Sequence, residues 1–181
     1  MIKQLVTGGV LGLALISGAA QAIEGGVNVS ERSTNLNLGL GTSSPGLFLN
    51  GNWLRSNDDG SVFDAGVGYN VDVGPLRLAP GAKAIFTHPN NGRDGFAVAV
   101  GAGAQYSFNN MWGLYGEYYY APESFSTHLD NYKEISGGIS FTPISLLNLR
   151  VGYQYAELDN KGSRKDNVLV DGPYVGASVR F

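Results

Sequence analysis

The chain ends Asp171-Gly172-Pro173-Tyr174-Val175-Gly176-Ala177-Ser178-Val179-Arg180-Phe181, and the reading of this stretch decides the fold. Counted back from Phe181, every second residue is apolar: Val179, Ala177 and Val175. Arg180, Ser178 and Gly176 stand between them. A period of two belongs to an extended strand, whose side chains point alternately to opposite faces. The segment is therefore predicted to be a strand with one greasy and one polar face. In a protein folded in water the greasy face would look into a core. The rest of the chain turns it outward, toward lipid.

The same alternation runs upstream, cut by clusters of Gly, Pro, Asn and Asp that signal turns. It is cleanest where Phe63, Ala65, Val67, Tyr69, Val71 and Val73 alternate with Asp64, Gly66, Gly68, Asn70 and Asp72. Similar segments are predicted over 35–42, 47–53, 76–86, 96–108, 112–120, 135–142 and 147–155, with a first short strand from Ile23 to Ser30. Pro80 lacks an N–H, so a bulge or local break is expected there. Short turns at 43–46, 74–75, 109–111 and 143–145 alternate with longer polar loops at 55–61, 87–95, 121–132 and 159–167. A barrel in a bacterial outer membrane has this asymmetry, with short periplasmic turns and long outer loops.

Aromatic residues on the apolar face gather at two heights. Tyr106, Phe108, Trp112, Phe141 and Phe181 lie near the short turns or the C-terminus, and Trp53, Phe63, Phe86, Phe96, Tyr120 and Tyr155 near the long loops. Two girdles with small aliphatics between them suit a bilayer. A soluble sandwich would also alternate, but it has no need of two matched belts. If Phe181 ends in the periplasm, the strand at 35–42 runs toward the periplasm and needs an upward partner, which Ile23–Ser30 supplies. The expected fold is thus all-β: a transmembrane antiparallel up-and-down β-barrel of about ten strands, with eight as the alternative. A terminal aromatic closing the last strand resembles the signal such barrels present to the barrel-assembly machinery.

The start of the chain agrees with export. Lys3 precedes an apolar run from Leu5 to Ile16, and Ala20-Gln21-Ala22 forms a small-x-small cleavage site. Residues 1–22 are read as a cleaved signal peptide and 23–181 as the barrel domain. The apolar run is shorter than the roughly 20 residues a spanning helix needs. Losing Lys3, the only charged residue of this leader, takes the net charge from −3 to −4. A weakly acidic chain without a basic tract argues against nucleic acid. There is no Cys for a disulfide framework or a lipid anchor. After the leader no run of about 18 apolar residues remains, which excludes a bundle of membrane helices; the mean hydropathy of −0.05 is compatible with a barrel, whose two faces average out.

Several segments together resemble the YfaZ family of outer-membrane proteins: Gly51-Asn52-Trp53, Gly74-Pro75-Leu76, Gly116-Glu117-Tyr118-Tyr119-Tyr120-Ala121-Pro122, Asp166-Asn167, and Asp171-Gly172-Pro173-Tyr174-Val175-Gly176. They span most of the exported length as one domain. The resemblance implies a β-barrel and no established activity, so it supplies no catalytic residues.

Chemistry must therefore be sought on the inward face. Its polar members are Asp64, Arg77, Lys83, Gln105, Glu117, Asn148, Arg150 and Gln154, with Tyr115 and Tyr119 beside them. They can fill the interior by pairing with one another, since buried charge must be matched. They can instead line a narrow passive lumen for small solutes. The inward glycines either leave that lumen space or seat the tyrosines. An outer-membrane hydrolase with a rim site at His128, near Ser124, Ser126 and Glu123, is an alternative, but no GxSxG, HExxH or P-loop is present. Surface binding through the long loops is another. Asn57-Asp58-Asp59-Gly60 lacks the spacing of a calcium loop and reads as a turn. Neither a metal nor a cofactor is expected. The expected surroundings are outer-membrane lipid and lipopolysaccharide, around a monomer.

Overall fold

Segments that alternate in polarity can satisfy their backbone groups in lipid only by pairing edge to edge until no edge is left. That is the arrangement of the computed structural model, which describes residues 22–31, 33–56, 60–89, 94–127, 129–160 and 167–181. The strands are β1 Ile23–Ser30, β2 Ser33–Leu40, β3 Gly46–Ser56, β4 Gly60–Val73, β5 Leu76–Pro89, β6 Gly95–Ser107, β7 Trp112–Ala121, β8 Ser126–Thr127, β9 Leu129–Ile144, β10 Leu147–Asn160 and β11 Asn167–Arg180. All pairings are antiparallel, and β11 returns to β1 from Glu24↔Arg180 to Ser30↔Tyr174. Ten long strands thus form a closed up-and-down barrel, the expected count rather than the alternative of eight. The first strand covers the expected residues and begins immediately after Ala22. Except for Ala22, the expected signal peptide lies outside the described residues.

Two-residue β8 continues the line of β7. Both pair with β6, through Val100↔Tyr120 and Ala97↔Ser126, with the 3₁₀ turn Glu123–Phe125 inserted between them. The loop expected over Ala121–Asn131 is therefore largely strand and turn. β9 starts at Leu129, well before the expected Ile135. Tyr132 and Glu134 keep the inward parity of Ser136 and are buried, so the ladder continues through this polar stretch. The charged loop expected from Asp159 is likewise shortened, because β10 runs to Asn160. A bulge opposite Ala156 and Glu157 buries both Leu169 and Val170. At Pro80 the β4–β5 ladder lacks the pairs between Gly68↔Gly81 and Val71↔Leu78, which is the expected local break.

The apolar face looks outward everywhere along the wall, with Leu38 and Val151 more than half exposed. Near the long loops, Trp53, Phe63, Phe86 and Phe96 stand in one cross-strand row. The ring centroids of Phe86 and Phe96 are 5.0 Å apart. Near the short turns, Trp112 and Phe141 pack at 4.5 Å and Tyr106 and Phe108 at 5.4 Å. Phe181, Tyr120 and Tyr155 are also on the outer surface, the last with its hydroxyl on Glu157.

The short turns are built tightly. Gly74 takes a φ of 60°, in the left-handed region that a side chain resists. The β2–β3 turn is clamped by Asn70, whose buried amide donates to the carbonyls of Gly41 (3.0 Å), Thr42 (3.2 Å) and Ser44 (2.8 Å). Asn70→Ala leaves these acceptors short of a donor. It is expected to lower the unfolding free energy by about 1–3 kcal/mol, read as a shift in the urea midpoint in detergent. An unchanged midpoint would show that water replaces the amide at no cost.

Candidate functional site

The interior is layered from the short-turn end upward. The first layer centres on Glu24 of β1. Its carboxylate accepts hydrogen bonds from Ser178 (2.8 Å), Ser43 (2.8 Å) and Thr42 (3.3 Å). Two guanidiniums flank it, Arg150 and Arg180, each with Nη2 3.7 Å from a carboxylate oxygen. Arg150 donates from Nε to Asn148 Oδ1 at 3.0 Å and lies 5.3 Å from the centroid of the Tyr115 ring. Arg77, at the rim, is held by Asp72 through two hydrogen bonds of 2.6 and 2.8 Å.

The second layer crosses the lumen. Lys83 on β5 and Glu134 on β9 meet at 3.1 Å, although β6 and β7 separate their strands in the wall. Tyr132 donates its hydroxyl to the same Glu134 oxygen at 2.9 Å. The Lys83 ammonium sits 4.0 Å from the centroid of the Tyr119 ring. Lys83 is only 2% exposed, so its charge depends on these partners. Asp64 is buried beside them and accepts from Asn52 at 2.8 Å.

The third layer is apolar. Leu54, Val62, Ile85, Ala97, Ala121, Tyr132, Ala156 and Val170 pack together inside the barrel, toward the long-loop end. Ile85, Ala97 and Ala121 are 0% exposed. Below this layer lies a polar chamber of about 470 Å³. Glu24, Lys83, Glu117, Glu134, Arg150 and Arg180 face it, together with amides such as Asn28 and Asn37. Asn109, Asn110 and Trp112 also border it, so it opens at the short-turn end. Of the apolar cluster only Tyr119 reaches it. The inward glycines seat large side chains. A Cβ on Gly152 would stand 2.5 Å from the Tyr115 hydroxyl, and one on Gly101 2.7 Å from the Tyr119 ring. Tyr115 shares a 2.6 Å hydrogen bond with Tyr174.

Asp64, Lys83, Asn148 and Gln154 are buried, and Arg77, Gln105, Glu117 and Arg150 are half-buried. The pairing differs from expectation. Pairing within the inward set would match its cations with its two acids, Asp64 and Glu117, but Lys83 takes Glu134, Arg77 takes Asp72 and Arg150 stands beside Glu24. Glu117 has no ion-pair or hydrogen-bond partner among the described residues. Glu24, Glu134, Tyr132 and Arg180 are the site residues that sequence reasoning missed. The inward parity of each strand would have found them had β1, the start of β9 and the last polar residue of β11 been weighed equally with the rest. His128, Asp58, Asp59 and the cations of 161–165 lie outside the described residues. His88 is exposed and pairs with Asp94 at 2.7 Å.

Comparison with known proteins agrees with this architecture. The chain matches the family described as YfaZ precursor along residues 1–181. It is 38% identical over 180 residues to Outer membrane protein YfaZ of Escherichia coli (strain K12), covering 99% of this chain and 100% of that one. Among solved structures, the KdgM porin in complex with disordered oligogalacturonate superimposes with a TM-score of 0.52 at 12% identity, covering 88% of this chain and 99% of that one. The KdgM porin alone gives a TM-score of 0.50 at 11% identity, with the same coverage. At such identity these likenesses speak for the barrel fold alone. The sequence match over the full length, carried on a closed ten-stranded barrel, makes this chain a member of the YfaZ family of outer-membrane proteins.

Proposed function

We propose that this protein is an outer-membrane barrel closed to solutes at rest, offering a polar chamber to the periplasm. The observation that carries the reading is the apolar layer across the outer half of the lumen, with Ile85, Ala97 and Ala121 at 0% exposure. A passive pathway for hydrated solutes needs a continuous polar or wet column, and close-packed apolar side chains exclude water. The cross-lumen pair of Lys83 and Glu134 ties the walls together immediately below. Short turns belong on the periplasmic side of such barrels, so the chamber opens there. Of the two roles the residues allow, packed barrel and narrow channel, the geometry favours the first. The test is single-channel conductance in a planar bilayer, with folding verified by heat-dependent gel mobility. The folded protein is expected to be silent. Discrete, reproducible steps from the unaltered chain would overturn the reading.

A further inference from the structure

The charges that face the chamber are unequally committed. Lys83 and Glu134 satisfy each other, and so do Arg77 and Asp72. Glu24 is different, because hydroxyls of Ser178, Ser43 and Thr42 already occupy both of its oxygens. The two flanking guanidiniums stand 3.7 Å away, beyond hydrogen-bonding distance. Among the described residues Arg150 makes one hydrogen bond, through Nε to Asn148, and Arg180 makes none from its side chain. Their terminal nitrogens are thus open to the chamber, and two positive charges share one carboxylate. Glu117, deeper along β7 and two residues before the Tyr119 that packs on Lys83, is half-buried and makes no ion pair or hydrogen bond among the described residues; it feels the Lys83 charge only at longer range. One surplus positive charge therefore lies near the mouth, and one carboxylate without a direct partner among the described residues lies further in.

We infer that the chamber binds a small zwitterion, an organic molecule with a carboxylate at one end and an ammonium at the other. Arg150 and Arg180 hold the carboxylate, and Glu117 receives the ammonium. Guanidinium forks match a carboxylate in shape as well as charge. A simple anion would satisfy the mouth and leave Glu117 unmatched, and a simple amine would do the reverse. Partly buried charges reward the ligand that answers both. The chamber volume of about 470 Å³ lies within the range usual for small-molecule sites, roughly 300–1,000 Å³. The amides of Asn28 and Asn37 on the wall offer both donors and acceptors to the body of such a molecule.

This inference rests on the chamber being a blind, periplasm-facing one, and its test is kept apart from conductance. Glycine, β-alanine and γ-aminobutyrate, a series of increasing charge separation, are titrated calorimetrically into the refolded barrel in detergent. Butyrate and butylamine are the single-charge controls. At least one amino acid of the series is expected to bind about tenfold or more tightly than either control, the worth of one charge-assisted hydrogen-bonding group. Glu117→Gln is expected to reduce its affinity about tenfold, to the level of butyrate. Arg150→Gln with Arg180→Gln is expected to reduce it to the level of butylamine. Glu117 makes neither an ion pair nor a hydrogen bond among the described residues, so its variant isolates binding from folding should the arginine variants fail to refold. If no member of the series exceeds the controls, or if Glu117→Gln leaves its affinity unchanged, the inference falls. A barrel that conducts yet binds the zwitterion would overturn the closed state and leave the site standing. A silent barrel that binds nothing would do the opposite.

Discussion

Cutting away the apolar layer with Ile85→Gly and Tyr132→Ala is expected to turn a silent barrel into one that conducts in discrete steps. Ile85 is 0% and Tyr132 4% exposed, and both point into the lumen, from β5 and β9, which β6 and β7 separate in the wall. Their removal opens space between the polar chamber below and the long-loop end above. Water fills a cavity that has polar partners within reach, and here Glu134 loses the Tyr132 hydroxyl and gains room for water instead. Each truncation also costs about 2–5 kcal/mol of stability, so folding must be verified by gel mobility before conductance is read. Val151→Ala on the lipid face is the control and should stay silent, because that side chain fills no part of the interior. Silence from a properly folded double variant would mean that something other than this layer seals the lumen.

Lys83→Met is expected to be the most destabilising single change in the interior. It removes the one cation from a cluster holding Glu134 and Asp64, both nearly inaccessible to water. Breaking a buried pair by removing one partner costs about 3–5 kcal/mol, because the other charge is stranded. Urea unfolding in detergent, followed by the fluorescence of Trp53 and Trp112, would read the loss. Adding Glu134→Gln should recover more than half of it, since the stranded carboxylate is then gone while Tyr132 can still donate to the amide oxygen. A Lys83→Met barrel that unfolds within about 1 kcal/mol of the parent would mean that water or a shifted proton already neutralises the cluster.

The barrel itself was legible in the chain because its determinants are local. A period of two assigns a face to every residue, and Gly-Pro and Asn-rich clusters mark where strands turn. The count of ten followed from parity, and the first strand fell on Ile23–Ser30 as that argument required. Reading went wrong where charge masked the period. Lys133 and Glu134 look like loop residues, yet Glu134 faces inward to Lys83 and the strand runs through them.

The partners within the lumen were beyond the reach of the sequence. Periodicity says that Asp64, Lys83, Glu117 and Arg150 point inward, but not how far one strand is staggered against a strand across the barrel. That stagger selects Glu134 for Lys83, leaves Glu117 without an ion-pair or hydrogen-bond partner among the described residues, and brings Arg150 and Arg180 to either side of Glu24. It also gathers Leu54, Val62, Ile85 and Tyr132, scattered along the chain, into one layer that separates a polar chamber from the outer end. The chain alone determined the wall and its orientation to lipid, because alternation is a property of neighbours in sequence. Closure of the barrel decided what meets across its interior, because those contacts join residues that only the tertiary register brings together.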